Sequence, residues 1–162
     1  MITLEPMSDE LFVSYIKEAV AHFSKEYVIA GICAERDAVA MCRLTYEKSL
    51  PQGVSTPNNY LYEIRKVDDQ VPIGMAWLAV WINSGKRSAF VCDVFIRPDW
   101  RSRGYGTQVM RLLEEKVREF KDVSEIGLHV LWQNQAAQSV YKKMGFKPTG
   151  INMIKHLDIE IK

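Results

Sequence analysis

The apolar positions of the chain follow two periods, and the changes of period mark the elements that the sequence predicts. Between Asp9 and Ala30, apolar side chains recur at three- and four-residue steps, which predicts an amphipathic helix. Ser8 or Asp9 is suited to cap its start, and Ala30-Gly31 interrupts it. A second helix is predicted over residues 35–48. The residues predicted to face inward are Leu11, Phe12, Tyr15, Ile16, Ala19, Val20 and Phe23 in the first helix, and Ala38, Met41, Cys42 and Leu44 in the second.

Shorter apolar segments between turns predict the strands of a sheet. Three such segments cover residues 60–67, 73–82 and 88–96. The short turns between them predict an antiparallel meander. The third segment is almost uninterrupted in its apolar character, which is typical of a central strand covered on both faces. Residues 2–4 are at best a short edge strand, and residues 125–131 predict a fifth strand.

Two further helices are predicted after the meander. Residues 104–121 carry apolar side chains on one helical face. Asn134 is suited to cap the other helix, and Gly145 to end it. The tail, residues 150–161, alternates weakly and predicts a final strand. This order of elements predicts an α+β fold with helices on both faces of a central sheet.

The composition narrows the class of protein. The 162 residues are enough for one domain with a substantial core, so residues 1–162 are predicted to form a single domain. A net charge of +1 makes nucleic acid and membrane surfaces unexpected partners, and neither a bilayer span nor a signal peptide is visible. Cys33, Cys42 and Cys92 are odd in number and lack metal-ligand spacing. This number and spacing of cysteines favours free thiols in a reducing cytoplasm, and it predicts no metal site.

The strongest chemical signal is the hexapeptide Arg101-Ser102-Arg103-Gly104-Tyr105-Gly106, which joins a predicted strand to a predicted helix. The first amides of a helix lack internal partners and carry partial positive charge. The two glycines also allow a ligand to approach the main chain closely. With Arg97 and the two arginines of the hexapeptide, these amides predict a pyrophosphate site. The alternative is an ordinary strand-to-helix turn with solvated arginines.

Two common phosphate motifs do not fit this segment. A dinucleotide fingerprint would require a third glycine at the position of Val109, and no Gly-Lys-Ser/Thr follows as in a P-loop. The missing glycine and the absence of a βαβ start also argue against a nucleotide-binding oxidoreductase.

A second motif further along the chain identifies the class of ligand. It reads Val130-x-x-x-Asn134-x-x-Ala137-x-x-x-Tyr141-x-x-x-Gly145-Phe146. Together with Arg101-x-x-Gly104-x-Gly106, in this order and spacing, it resembles the GNAT superfamily of acyl-CoA-dependent N-acyltransferases. The resemblance covers about residues 88–150, the acyl-CoA half of the domain. It implies a mixed, mostly antiparallel sheet whose fourth and fifth strands splay apart, acetyl-CoA as co-substrate, and homodimers, which are common in the family.

The resemblance also implies which residues bind acetyl-CoA. Asn134 would contact the pantetheine or pyrophosphate region of the cofactor and also cap its helix. The main chain of Val94 and Ile96 would pair with the pantetheine arm as an added strand. The residues that would bind the pyrophosphate are Arg101, Ser102, Arg103, Gly104, Tyr105, Gly106 and Thr107.

Acyl transfer to an amine needs a base for the ammonium proton, and an acid eases departure of the thiolate. Tyr141 matches the tyrosine that lies near the cofactor sulfur in GNAT enzymes, and a phenol with a pKa of about 10 is protonated at neutral pH. The alternative is a core tyrosine.

Two residues are candidate bases: Asp93, the only charged residue of its predicted strand, and His129. The alternatives are a structural ion pair for Asp93 and an ordinary histidine without a catalytic role at position 129. Glu35 and Glu63 also stay open as bases that act through water. His22 and His156 have no supporting context.

The predicted function is therefore transfer of an acetyl group from acetyl-CoA to a primary amine by direct attack. The alternative is a non-catalytic acyl-CoA-binding sensor or regulatory module. The N-terminal helices and the loop over residues 50–59 are predicted to form the acceptor pocket. A polyamine, an amino acid, an aminoglycoside and a protein N-terminus all stay open as acceptors.

Overall fold

The computed structural model describes residues 1–83 and 85–155, which form five strands and four helices. In chain order they are β1 (Ile2–Pro6), α1 (Asp9–Ile29), α2 (Glu35–Ser49), β2 (Asn59–Lys66), β3 (Pro72–Asn83), β4 (Lys86–Ile96), α3 (Tyr105–Arg118), β5 (Val123–Leu128) and α4 (Gln135–Lys143). Single 3-10 turns lie at Gly53–Ser55 and Pro98–Trp100. Each predicted helix is confirmed. Of the predicted final strand, residues 150–155 are not in a strand, and the remainder lies outside the described residues.

The five strands form one mixed sheet in the order β1-β2-β3-β4-β5. Neighbouring strands are antiparallel except β4 and β5, which are parallel. The β4–β5 pairing runs from Arg87 opposite Val123 to Val91 opposite Leu128, whereas β4 continues to Ile96. The two strands therefore separate beyond Val91, as predicted, and leave one edge of β4 open at its carboxyl end.

A β-bulge at Cys92 changes which side chains of β4 face which helices. Leu78 pairs with Val91, but Trp77 pairs with Asp93, so Cys92 is one residue in excess. Because side chains alternate along a strand, an extra residue exchanges the two faces from that point on. Val91 packs in the core on the α3 side, and Asp93 lies on the side of α1 and α2.

Two hydrophobic cores lie on the two faces of the sheet. One contains Val109, Met110 and Leu113 of α3, packed on the strands. The other contains residues of α1 and α2 packed on the opposite face. The buried positions of α2 are Ala38, Cys42 and Tyr46. The prediction was wrong for Met41 and Leu44, which are 40% and 49% exposed, because the inner face follows a strict four-residue step through Tyr46.

The helix ends follow the predicted signals. Ser8 Oγ accepts a hydrogen bond from the amide of Leu11 (3.3 Å) at the start of α1. Asn134 Oδ1 accepts one from the amide of Ala137 (3.1 Å) at the start of α4. Gly145 follows the end of α4 with φ +89°, the left-handed conformation that glycine adopts without strain. In the described part of the chain, no helix has the length and apolar character to cross a bilayer.

Candidate active site

An open cleft of about 610 Å³ lies where β4 and β5 separate. The carboxyl end of β4 forms its floor, the N-terminus of α3 and the start of α4 form two of its walls, and α1 forms a third. The predicted residues that line it are Val94, Ile96, Arg101, Ser102, Gly104, Tyr105, Gly106, Thr107, Asn134 and Tyr141. The structure thus brings the two sequence motifs together around one cavity.

The glycine turn presents its main chain to this cleft. Ser102 and Gly104 both have positive φ, 59° and 79°, which turns the chain sharply into α3. The amide of Gln108 makes the first helical hydrogen bond, to the carbonyl of Gly104 (3.3 Å). The amides at positions 105–107 precede it, and no side chain caps the helix start within the described chain. These amides can therefore bind an anion.

The arginines of the turn are partly used inside the protein. The Nε of Arg101 donates to the carbonyl oxygen of Ile96 (2.8 Å), and its guanidinium lies 5.5 Å from the centre of the Phe95 ring. Arg103 packs over Trp100 at 5.1 Å and does not line the cleft. Arg101 thus ties the turn to the end of β4, while the main-chain amides provide the open donors.

Tyr141 and Asn134 lie on the same helix wall of the cleft. Tyr141 is half-buried on the inner face of α4, where its ring contacts Phe146 with the ring centres 5.8 Å apart. Burial, and secondly the charge of Asp93, raises the pKa of the Tyr141 phenol above its usual value. Tyr141 is therefore protonated at neutral pH and is suited to donate a proton.

Asp93 is 4% exposed and lies directly before the cleft residues Val94 and Phe95. Its Oδ2 accepts hydrogen bonds from the hydroxyls of Tyr15 (2.9 Å) and Tyr46 (3.5 Å). Its Oδ1 is buried and has no partner among the described residues. Burial raises the pKa of this carboxyl to about 7, although the two tyrosine hydrogen bonds act in the opposite direction. Among the described residues, Asp93 is therefore held by tyrosines and forms no ion pair.

The other candidate bases lie elsewhere. β5 ends at Leu128, so His129 follows the strand, and its side chain is exposed and does not line the cleft. Glu35 is exposed at the start of α2. Glu63 is buried but forms an ion pair with Arg65 (2.5 Å). Among these candidates, only Asp93 combines burial with a position next to the cleft.

Sequence reasoning predicted that the N-terminal helices contribute to the acceptor pocket, but it did not identify which residues of α1 line the cleft. His22, Glu26 and Ile29 line the cleft, and the His22 ring lies 5.1 Å from the Phe95 ring. Burial lowers the pKa of His22, and the nearby charge of Arg101 lowers it further. The spacing of these residues, four and then three positions apart, is a helical-face signal that could have grouped them. Tyr15 was recognised only as an inward-facing residue, and Tyr46 was not singled out.

Comparison with known proteins identifies the family. Residues 35–146 match the Acetyltransferase (GNAT) family. The chain belongs to the GNAT family. It is 30% identical over 156 residues to YycN, an uncharacterized N-acetyltransferase of Bacillus subtilis, an alignment that covers 96% of this chain and 99% of YycN. It is 29% identical over 155 residues to YdgE of the same organism, covering 96% of this chain and 98% of YdgE.

Solved structures agree with this assignment. The crystal structure of YycN, described as a putative acetyltransferase, superposes with a TM-score of 0.90 at 28% identity. That superposition covers 98% of this chain and 100% of YycN. A putative acetyl transferase from Pyrococcus furiosus has the same fold, with a TM-score of 0.69 at 18% identity and coverage of 97% and 100%. This GNAT protein is an acyl-CoA-dependent N-acetyltransferase.

Proposed function

We propose that the protein transfers the acetyl group of acetyl-CoA directly to a primary amine, with Tyr141 as the general acid and Asp93 as the general base. The observation that carries this proposal is the cleft in which an open helix N-terminus and an open strand edge meet beside Tyr141. Membership of the GNAT family supports the reaction class. The co-substrate, the residue roles and the acceptor class are our inference from that geometry together with the family resemblance.

The residues around the cleft fit an acyl-CoA in two places. The amides at 105–107 and the positive φ of Gly104 form an anion site of the kind that binds a diphosphate. The β4 edge beyond Val91, including Val94 and Ile96, can hydrogen-bond an amide-containing arm as an added strand would. Asn134 lines the same cleft, and its side-chain oxygen accepts a hydrogen bond from the amide of Ala137. Bound acetyl-CoA would supply an activated acetyl thioester.

Two proton transfers remain for the protein. An alkyl ammonium has a pKa of about 10.4, so releasing its proton at pH 7 costs about 5 kcal/mol. We assign this proton to Asp93 Oδ1, which has no protein partner in the described chain and belongs to a carboxyl whose pKa of about 7 suits exchange at neutral pH. The Tyr141 hydroxyl donates a proton to the departing thiolate. His129 is exposed beyond the end of β5, so we do not assign the base to it.

The direct test is an acceptor screen. Purified protein and acetyl-CoA are incubated with a polyamine, free amino acids, an aminoglycoside and a peptide with a free N-terminus. Free thiol is followed over time, and the acylated product is identified by mass. An N-acetyltransferase releases thiol with at least one amine and yields a product heavier by one acetyl group. A binding module would show a rise in melting temperature with acetyl-CoA but no thiol release above background hydrolysis.

Three further parts of the proposal concern the compartment, the oligomeric state and the acceptor side. The free thiols of Cys33, Cys42 and Cys92 are in keeping with a reducing compartment such as the cytoplasm. A homodimer stays a prediction from the family resemblance. The N-terminal helices are proposed to contribute to the acceptor side, which is supported by His22, Glu26 and Ile29 at the wall of the cleft.

A further inference from the structure

The carboxyl of Asp93 is bound unequally at its two oxygens. Both tyrosine hydroxyls donate to Oδ2, Tyr15 from α1 at 2.9 Å and Tyr46 from α2 at 3.5 Å. Oδ1 is buried and has no hydrogen-bond partner in the described part of the chain. A buried carboxylate oxygen without a partner is costly, so a protein that retains one usually has a use for it.

The two tyrosines are built to hold this carboxyl in place. Tyr15 is 1% exposed, and its ring meets the Tyr46 ring edge-on with the centres 6.0 Å apart. The Tyr46 ring in turn packs against Trp77, the residue opposite Asp93 in β3. Three elements therefore converge on one side chain and restrict its position.

We propose that Tyr15 and Tyr46 are positioning residues, which bind Asp93 Oδ2 and leave Oδ1 to take the proton of the acceptor amine through one water. This inference rests on the proposed function. In the step itself, an N–H bond of the ammonium breaks as the water takes that proton, and the water gives one of its own protons to Oδ1, where an O–H bond forms. The electron pair stays on the nitrogen, which then attacks the acyl carbon.

The surroundings of Asp93 make this arrangement sensitive to loss of a donor. The titratable groups near it are Tyr15 and Tyr27 of α1, Cys42 and Tyr46 of α2, Cys92 of its own strand and Tyr141 of α4. Burial raises the pKa of each, and none of these groups carries a positive charge. The tyrosine hydroxyls are thus the donors that stabilise the ionised carboxyl. Removing one is expected to raise its pKa by about one to two units.

The first measurement needs no acceptor. The full chain is labelled with carboxyl-¹³C aspartate, and the Asp93 signal, assigned by its loss in Asp93→Asn, is titrated by NMR from pH 4 to pH 10. Tyr15→Phe is expected to raise the midpoint by about one unit or more, and Tyr46→Phe by less, because its bond is longer. Tyr60→Phe, on the other face of the sheet, is the control and should leave the midpoint unchanged. An unchanged midpoint in both Tyr15→Phe and Tyr46→Phe would overturn the proposal.

The second measurement links the carboxyl to the reaction. The pH profile of kcat/KM is recorded with acetyl-CoA and the amine of the screen that releases thiol fastest. Its acid limb should move upward in Tyr15→Phe by the same amount as the NMR midpoint. A limb that stays in place while the midpoint moves would show that Asp93 does not take the proton, and the inference would fail. Absence of turnover with every amine would contradict the proposed function instead, and the NMR titration would still report whether the tyrosines hold the carboxyl.

Discussion

Gly74 of β3 lies so close to the main chain of Phe95 in β4 that a Cβ at position 74 would overlap the Phe95 carbonyl oxygen. The same Cβ would also stand 3.2 Å from the Cα of Ile96. Both neighbours line the cleft. The floor of the site therefore depends on a close approach of two strands that only glycine permits at this position.

Gly74→Ala is expected to lower the free energy of unfolding by about 1–3 kcal/mol, because the overlap is with main chain that must shift. The displacement of β4 should also weaken binding of coenzyme A. Urea unfolding and calorimetric titration measure the two effects. Gly150→Ala is the matched control, since a Cβ there meets nothing within 4 Å. Equal stability of the two variants would contradict the close-packing argument.

Gly104→Ala should separate backbone strain from ligand binding. Gly104 and Gly85 have the same φ, +79°, and a Cβ at either meets nothing within 4 Å. Alanine at each position is expected to cost about 1 kcal/mol of stability, because a side chain disfavours this conformation. Only Gly104→Ala should raise the Kd for coenzyme A, because Gly104 leads into the open amides whereas Gly85 lies in the β3–β4 turn. A similar Kd for both variants would argue against the anion site.

Tyr141→Phe is expected to lower kcat by about a hundredfold or more while changing the Kd for acetyl-CoA little, because a general acid acts on the departing thiolate and not on binding. Steady-state kinetics gives kcat, and calorimetry gives Kd. Tyr60→Phe again serves as a control that should change neither quantity. Small and equal effects on kcat and Kd would remove the acid role from Tyr141.

Asp93→Asn is expected to change the pH dependence of stability. Burial raises the pKa of Asp93 from 3.8 to about 7, so the folded protein keeps this proton at pH values where the unfolded chain has lost it. The contribution of Asp93 to stability is therefore full below about pH 4 and is lost as the pH rises to 7, by on the order of 4 kcal/mol. Urea unfolding of both proteins from pH 4 to pH 8 measures the difference. A difference independent of pH would show that the carboxyl titrates normally.

The sequence was sufficient for the four helices, for the first five strands and for grouping the motif residues, because these depend on local signals, whereas the predicted strand over residues 150–155 is absent. The caps at Ser8 and Asn134 and the glycine turn are defined by residues within a few positions of one another. The partners of Asp93 are not local. Tyr15 and Tyr46 lie 78 and 47 residues away, on separate helices, and only the packing of those helices on the sheet brings them together.

Residue type also misled the prediction for α2. Met41 and Leu44 are more apolar than Tyr46, yet Tyr46 is buried and they are exposed. The tyrosine can enter the core because its hydroxyl has Asp93 as a partner. A polar group whose partner is distant in sequence cannot be recognised as a core residue from its own helix, so the polar part of this core could not have been predicted from the pattern alone.

The extra residue at Cys92 has a consequence for how β4 can vary. The bulge determines which face of the sheet each later side chain of β4 points to. Loss of one residue there would therefore turn Asp93 away from both tyrosines and into the hydrophobic core on the α3 side. A conservative exchange at position 92 keeps that count and changes only a small side chain. The segment is therefore expected to accept substitutions far more readily than any insertion or deletion.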